Sequence, residues 1–236
     1  MIRAVFGVIM LAGVLAGAAQ AQTITRAELA EPTGRYGHHP MGPQVADHGA
    51  LRLRMSDGSQ RLIRLPQSRV FEDNAARLAD IDGDGAPEVI VVEADARQGA
   101  RLVVYGPQGV VAASPFIGRR NRWMAVSAVA DLDGDGSVEI AVVDRPHLRK
   151  TLVIWRQVGA QLVPVAELAG VTNHRFGDPQ ILGGLRECGA GPELVLARAD
   201  WSGLVAVRFS QGSLTAADLG MTATASQFQS AMSCAD

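Results

Sequence analysis

Asp80-Ile-Asp-Gly-Asp-Gly-Ala-Pro-Glu88, which runs on into Val-Ile-Val-Val92, is the stretch that decides the fold of this chain. It recurs as Asp131-Leu-Asp-Gly-Asp-Gly-Ser-Val-Glu139, which runs on into Ile-Ala-Val-Val143. A degenerate third copy ends in Gly191-Pro-Glu193-Leu-Val-Leu-Ala197, and the copies recur about every 50 residues. Self-similarity at this period predicts a repeat architecture.

The segments around these stretches are typical of short strands. Runs such as Arg101–Tyr105, Thr151–Trp155 and Leu204–Phe209 are rich in aliphatic residues and are bounded by Gly, Pro or Asp. Three or four strands in a unit of about 50 residues predict an all-β fold, a small or partial β-propeller of about four units. A β-sandwich or another β array is the alternative, because strand spacing alone does not separate these architectures.

The predicted organisation is a leader followed by one repeat domain. Residues 1–21 have a positive start, a short apolar run and a small-residue cleavage site at Ala19-Gln-Ala21, as in a signal peptide. The run is too short to span a bilayer, so no transmembrane segment is expected after cleavage. The repeat domain is predicted over 22–236, with units at 24–70, 71–120, 121–172 and 173–222 and a closing segment at 223–236.

Each acidic stretch is predicted to be a calcium loop. Counted from the first Asp, carboxylates fall at positions 1, 3, 5 and 9 and a main-chain carbonyl falls at position 7. Hard oxygen ligands in this number suit Ca²⁺, whereas Mg²⁺ keeps more water and tolerates fewer carboxylates. The predicted ligands are Asp80, Asp82, Asp84, the Ala86 carbonyl and Glu88 in the first loop, and Asp131, Asp133, Asp135, the Ser137 carbonyl and Glu139 in the second.

Two other interpretations fit these loops less well. An EF-hand needs a bidentate Glu at position 12, but that position is Val91 in the first loop and Val142 in the second. An acidic turn that binds nothing is the plainer alternative, and it does not explain why the position-9 Glu recurs. The ions are expected to be structural, because without them the like charges of one turn repel by about 1–4 kcal/mol per pair.

The third copy has lost the three Asp ligands and gained a cysteine. Leu185, Glu187 and Gly189 stand where the three Asp residues are expected, so this loop is not predicted to bind calcium. Cys188 lies inside it, and Cys234 is the other cysteine of the chain. In an exported protein an even pair predicts a disulfide, here one that replaces the ion as a local cross-link; two free thiols are the alternative.

The units resemble FG-GAP/VCBS repeats, which occur in the head of integrin α-subunits and in many exported bacterial proteins. The resemblance rests on the two acidic loops and on aromatic–Gly pairs at Tyr36-Gly37 and Phe176-Gly177, and it covers most of residues 24–220. It implies a calcium-stabilised propeller whose loops bind partners, and it does not imply an enzyme. Because only about four units are present, the ring is small, incomplete or completed by another chain.

No catalytic constellation is found in the sequence. There is no Gly-x-Ser-x-Gly turn and no Gly-Lys-Ser/Thr phosphate loop. His38, His39 and His48, with Asp47 nearby, are an alternative site for a transition metal, and the remaining histidines are expected at the surface. The chain is therefore predicted not to be an enzyme. An enzyme should instead show polar groups that converge in a pocket away from the calcium loops.

The predicted function is that of an exported, calcium-binding repeat module that makes non-catalytic contacts with a protein or glycan. Two Ca²⁺ ions are the expected cofactors, and the periplasm or the exterior of the cell is the expected location. Trp201, at the tip of a predicted hairpin, is the candidate contact residue. A nucleic-acid partner is not predicted, because the formal net charge is −2 and the basic residues are scattered. A metal-dependent hydrolase and a purely structural envelope protein are the alternatives.

Overall fold

The computed structural model describes residues 22–234, so the predicted signal peptide at 1–21 lies outside the described residues. Strands form nearly all of the regular structure, which confirms the predicted all-β class, and one short helix follows them. The elements are β1 (Ile24–Thr33), β2 (Asp47–Met55), β3 (Gln60–Arg64), β4 (Arg69–Phe71), β5 (Arg77–Ala79), β6 (Glu88–Asp95), β7 (Gly99–Gly106), β8 (Gly109–Ala113), β9 (Met124–Ala130), β10 (Glu139–Asp144), β11 (Thr151–Val158), β12 (Gln161–Ala169), β13 (Val171–Thr172), β14 (Gly184–Glu187), β15 (Pro192–Arg198), β16 (Leu204–Ser210), β17 (Ser213–Asp218) and α1 (Ala225–Met232).

The strands form antiparallel meanders, in which each strand pairs with the one that follows it. The first meander has three strands, β1 to β3. Each of the other three has four strands: β5 to β8, β9 to β12, and β14 to β17. The short strands β4 and β13 add to the second and fourth meanders by pairing with β6 and β15.

Neighbouring meanders are joined by single bridges. His48 in β2 pairs with Phe71 in β4, and Ala113 in β8 pairs with Gln161 in β12. These links make the first three meanders one twelve-stranded sheet, while the fourth meander and β13 form a five-stranded sheet. Each meander therefore satisfies most of its backbone hydrogen bonds locally and depends on its neighbours mainly through side-chain packing.

The core consists of apolar layers between successive meanders. Strand β6 shows the principle, because successive side chains of a strand point to opposite faces. Val89 and Val91 belong to the same apolar cluster as Leu51 of the first meander, whereas Ile90 belongs to the same cluster as Val142 of the third. A further layer lies between the third and fourth meanders. The inner sheets are thus buried on both faces like propeller blades, which a two-layer sandwich does not allow.

Helix α1 covers the outer face of the last meander. Phe228 and Ala231 of the helix are buried in one cluster with Val195 and Leu204. Within residues 22–234 the closing segment adds no strand, and β1 lies at the end of its sheet beside β2, so the two ends of the chain are not paired. No helix of the described range combines the length and the apolar character that crossing a membrane requires.

Candidate functional site

The first acidic loop connects β5 to β6 and folds around its own carboxylates. Asp80 accepts hydrogen bonds from the main-chain N–H groups of Gly83 and Gly85, at 2.8 and 2.9 Å. Both glycines have positive φ angles, 77° and 87°, which a side chain would make unfavourable. Glu88, the first residue of β6, accepts from the N–H of Ile81 at 3.0 Å. The loop is therefore closed at its start and its end by acidic side chains.

The second acidic loop, between β9 and β10, repeats these bonds position by position. Asp131 accepts from the N–H groups of Gly134 and Gly136, at 2.7 and 2.9 Å. Glu139 accepts from the N–H of Leu132 at 2.8 Å. The same φ signs recur at both glycines. The duplicated sequence thus produces a duplicated geometry.

Each loop brings three carboxylates together around one point. The groups are Asp80, Asp82 and Glu88 in the first loop, and Asp131, Asp133 and Glu139 in the second. Within each group the ligand atoms lie within 4.8 Å of one another. Burial raises the pKa of Glu88 and of Glu139 above the ordinary value, because a buried charge loses its hydration. An arrangement of hard oxygen donors that is unfavourable by itself fits a divalent cation such as Ca²⁺.

The other predicted ligands lie within the same turns but outside these two groups. Asp84 and Asp135 accept the main-chain N–H groups of Ala86 and Ser137, at 2.7 and 2.8 Å. Both carboxylates are exposed. Their coordination of an ion, and that of the Ala86 and Ser137 carbonyls, stays a prediction.

The two loops are neighbours in space, and one arginine lies between them. A cavity of about 420 Å³ is lined by residues of both loops and by Arg156 of β11. The Arg156 guanidinium lies 2.5 Å from Glu139, 2.8 Å from Asp135 and 3.2 Å from Asp133. The strand register places Gly106 at the corresponding position beside the first loop. Among the described residues, the ion pairs of Arg156 thus have no counterpart in the first loop.

In the third loop, arginines pair with the glutamate that corresponds to the last ligand of the acidic loops. Glu193, which corresponds to the position-9 Glu of the acidic loops, is paired with Arg186 at 2.6 Å and with Arg208 at 2.9 Å. Guanidinium groups therefore supply the positive charge in the loop that lacks the three Asp ligands. Cys188 and Cys234 form a disulfide, as predicted, which ties the segment after α1 to this loop.

Removing the arginine beside the second loop should strengthen the calcium binding that is predicted there. An incoming ion must compete with the Arg156 guanidinium for three carboxylates. We expect Arg156→Gln to strengthen calcium binding at the second loop about tenfold, which is about 1.4 kcal/mol, and to leave the first loop unchanged. Isothermal titration with a two-site fit measures both affinities. Arg97→Gln, at an exposed turn residue, is the matched control. Unchanged or weaker binding at the second loop would contradict the competition.

The structure places the candidate contact residue Trp201 beside the C-terminal helix. The Arg175 guanidinium lies 4.1 Å from the centre of the Trp201 ring, and the ring of Phe228 lies 6.4 Å away. Trp201 is half-buried, so part of its ring is committed to this packing. Its role in partner contact stays a prediction.

A second place where polar side chains converge was missed by sequence reasoning. His38 and His147 line a cavity of about 270 Å³, and His174, which was expected at the surface, is buried. No histidine belongs to a group of three metal ligands within residues 22–234, so the predicted transition-metal alternative gains no support there. The sequence signals for this pocket were the Phe176-Gly177 pair and the Arg-rich run ending at Arg122, which lie far apart in the chain.

Thirteen chains of solved structures match this chain, and two of the matching proteins are rhamnogalacturonan lyases. One is the exotype rhamnogalacturonan lyase YesX, with 17% identity and a TM-score of 0.41, over 71% of this chain and 40% of that chain. The other is the Bacillus licheniformis rhamnogalacturonan lyase PL11, with 16% identity and a TM-score of 0.41, over 75% of this chain and 42% of that chain. The chain thus spans about two fifths of these structures, and the similarity concerns the fold alone. No curated protein matches the chain in sequence.

These comparisons correct the prediction that the chain is not an enzyme. Both of the solved structures named above are lyases, and their similarity to this chain, at 16–17% identity, assigns no activity to it. The prediction was wrong because it rested on the absence of short catalytic motifs. In a repeat fold, side chains from loops far apart in sequence can meet without forming any local motif.

A family model described as an FG-GAP-like repeat matches residues 80–142. The matched segment begins at the first carboxylate of the first loop and ends inside β10, so it contains both acidic loops and the strands between them. The prediction of FG-GAP repeats, which was based on these loops, is confirmed. The chain therefore carries an FG-GAP-like repeat.

Proposed function

We propose that this chain is an exported repeat module that binds two structural Ca²⁺ ions and uses its surfaces to contact a protein or glycan. The proposed ligands are the five oxygen donors of each loop: Asp80, Asp82, Asp84, Ala86 and Glu88, and Asp131, Asp133, Asp135, Ser137 and Glu139. The observation that carries the proposal is the duplicated cluster of three carboxylates, with ligand atoms within 4.8 Å of one another in each loop.

The position of the loops supports a stabilising role for the ions. Each loop joins two strands that pair with each other, β5 with β6 and β9 with β10. Its buried glutamate belongs to the second strand of the pair, whereas its first Asp lies in the turn. An ion held by both would fix the turn to the sheet and remove the repulsion between the carboxylates. The loops would then fray in the metal-free protein.

Export and domain organisation belong to the same proposal. The disulfide between Cys188 and Cys234 favours an oxidising compartment, in agreement with the signal-peptide pattern of residues 1–21. The periplasm and the exterior of the cell both meet this condition. The proposed repeat units are those of the sequence analysis, 24–70, 71–120, 121–172 and 173–222, followed by the closing segment.

Thermal unfolding in calcium and in excess chelator tests the calcium sites. Calcium that binds the folded chain only should stabilise it by about 2.7 kcal/mol per site at a hundredfold excess over Kd, and so raise the unfolding midpoint. The double variant Asp82→Asn, Asp133→Asn should lose most of this shift. Asp57→Asn, which changes an exposed acidic residue in the β2–β3 turn, should keep it. Equal unfolding midpoints of the unchanged chain in calcium and in chelator would contradict the proposal.

The contact function is tested separately with calcium-loaded protein. Immobilised chain should retain a specific protein or glycan from an envelope extract, and the retained partner should be displaced by free chain. Retention that persists after heat denaturation of the immobilised chain would contradict recognition by the folded surface.

A further inference from the structure

The pocket that contains His38 and His147 is built by loops of several meanders. His38 comes from the β1–β2 connection, Trp123 from the segment before β9, His147 from the β10–β11 connection and Phe176 from the segment after β13. The acidic loop beside β10 lies at the Glu139 end of that strand, whereas the pocket lies past its other end. The pocket and the second calcium loop are thus separated by the full length of one strand.

One wall of the pocket carries a buried pair of titratable groups. His38 Nδ1 lies 2.8 Å from Glu72 Oε1, and the Glu72 side chain is fully buried. The other carboxyl oxygen, Glu72 Oε2, is buried without a hydrogen-bond partner among the described residues. Burial raises the pKa of Glu72 and lowers the pKa of His38, so burial favours the neutral form of both groups. An incompletely satisfied buried carboxyl of this kind is typical of functional pockets.

The buried His174 fixes the hydrogen-bonding character of His147, another residue that lines the pocket. His174 Nε2 donates to the carbonyl of Asp178 at 2.8 Å, so in the neutral ring His174 Nδ1 is an acceptor. His147 Nε2 lies 2.8 Å from this atom and must donate to it. That leaves His147 Nδ1 with a lone pair. Burial lowers the pKa of His147 to about 4, which keeps this ring neutral at physiological pH.

The pocket also contains a positive charge that the protein does not neutralise. Arg145 is paired with Asp144 at 2.7 Å. Arg122, in contrast, donates to the carbonyl of Asn121 at 2.8 Å and forms no ion pair within residues 22–234. A guanidinium left free beside a pocket is a fork-shaped donor for a carboxylate.

The rim of the pocket is apolar. Phe176 is 64% exposed, the highest value among the large hydrophobic side chains of the described range, and Leu148 is 62% exposed. Inside the rim, the ring of Trp123 is stacked on His147 with an interplanar angle of 17°. Exposed apolar faces around polar groups are typical of sites that hold the flat or apolar face of a ring.

We propose that this pocket binds a small hydroxylated ring acid of the uronate type, with its carboxylate on Arg122 and its ring against Phe176. The cavity of about 270 Å³ is close to the lower end of ligand sites, about 300–1,000 Å³, and so suits a single ring. The imidazoles of His38 and His147 and the amide of Asn121 are placed to contact ring hydroxyls. The inference goes beyond the calcium loops, because none of their carboxylates lines this pocket.

Titration with matched sugars tests the proposal. In excess calcium, glucuronate and galacturonate should bind with a Kd in the millimolar range or tighter. Saturation-transfer NMR detects the binding, and calorimetry measures the Kd. The neutral parents glucose and galactose should bind at least tenfold more weakly, since they lack the carboxylate. Benzoate, a ring acid without hydroxyls, should also bind at least tenfold more weakly. Equal affinities for the uronates and the neutral sugars would overturn the proposal. So would the absence of uronate binding at a concentration of about 50 mM.

Variants locate the binding in the pocket. Arg122→Gln should weaken uronate binding at least tenfold, whereas Arg119→Gln, which removes a charge from an exposed position of the same segment, should leave it unchanged. Phe176→Ala changes an exposed side chain and should weaken binding severalfold without altering the unfolding midpoint. Equal effects of Arg119→Gln and Arg122→Gln would show that binding is non-specific and would refute the assignment.

The unfolding experiment in calcium and in chelator, compared with the sugar titration, separates this inference from the proposed function. If the calcium sites fail their own test but uronates bind as described, the pocket assignment stands by itself. If calcium stabilises the chain and uronates do not bind, the pocket assignment alone is wrong.

Discussion

Replacing both cysteines, Cys188→Ala with Cys234→Ala, is expected to lower the free energy of unfolding by about 4 kcal/mol. The bond joins residues 46 apart, and the chain-entropy model gives this value for a loop of that length. The bond ties the segment after α1 to the loop between β14 and β15, and on this chain-entropy account the loss arises because the unfolded chain regains the freedom that the cross-link removes. Urea unfolding of the oxidised protein and of the variant measures the difference.

A reductant provides the control for this first prediction. The unchanged chain in reductant should unfold like the double variant, while the double variant should not respond to reductant. A difference below about 1 kcal/mol between the oxidised chain and the variant would show that the C-terminal segment is held by packing alone.

The second large effect is expected from Phe228→Ala in helix α1. Phe228 is 2% exposed and lies in one apolar cluster with Val195 and Leu204 of the last meander. Truncating a buried Phe to Ala removes its transfer free energy and leaves a cavity, so we expect a loss of about 3–5 kcal/mol. Thermal and urea unfolding measure it. Gln229→Ala, at an exposed position of the same helix, is the control. It should change the free energy of unfolding by less than about 0.5 kcal/mol.

The two large effects should not add. The disulfide and Phe228 hold the same segment against the same meander, so that losing one already frees part of what the other restrains. The triple variant should therefore lose less than the sum of the separate losses. Strict additivity would mean that the helix and the disulfide stabilise independent parts of the chain.

The repeat and its acidic loops were the part of the molecule that the sequence predicted well. Asp, Gly and Glu at fixed positions specify a turn whose hydrogen bonds are nearly all local; for example, the N–H groups of Gly83 and Gly85 donate to Asp80. The aliphatic runs after the loops specify strands buried on both faces, as Val89 and Ile90 show by packing in different layers. These features could be predicted from the sequence because the same local pattern of residues recurs in successive units and forms the same turn and strand each time.

Helix α1 was not predicted, because eight residues are too few to show a clear helical period. A capping signal was present: Thr224 accepts the N–H of Gln227, and the pattern Thr-x-x-Gln is typical of a helix start. The helix exists because the last meander has an apolar outer face, and that face depends on packing between distant residues. Sequence pattern alone does not reveal which face lacks a neighbour.

The sequence also did not predict that an arginine pairs with the carboxylates of the second acidic loop and not with those of the first. Arg156 lies in β11, and only the pairing of β10 with β11 places it beside Glu139. The pocket around His38 has the same origin, because its walls come from loops that the stacking of meanders brings together. Residues that act across units become visible once the register between strands is known.

Helix α1 also sets a limit on how this chain can grow by duplication. A repeat added after β17 would need the apolar face that Phe228 and Ala231 occupy, and would have to release the segment held by Cys234. New repeats could instead enter between existing meanders, where single bridges such as Ala113 to Gln161 are easily broken and made again. A change in the number of repeats is therefore expected upstream of the helix, between existing meanders, rather than between β17 and the segment that Cys234 holds.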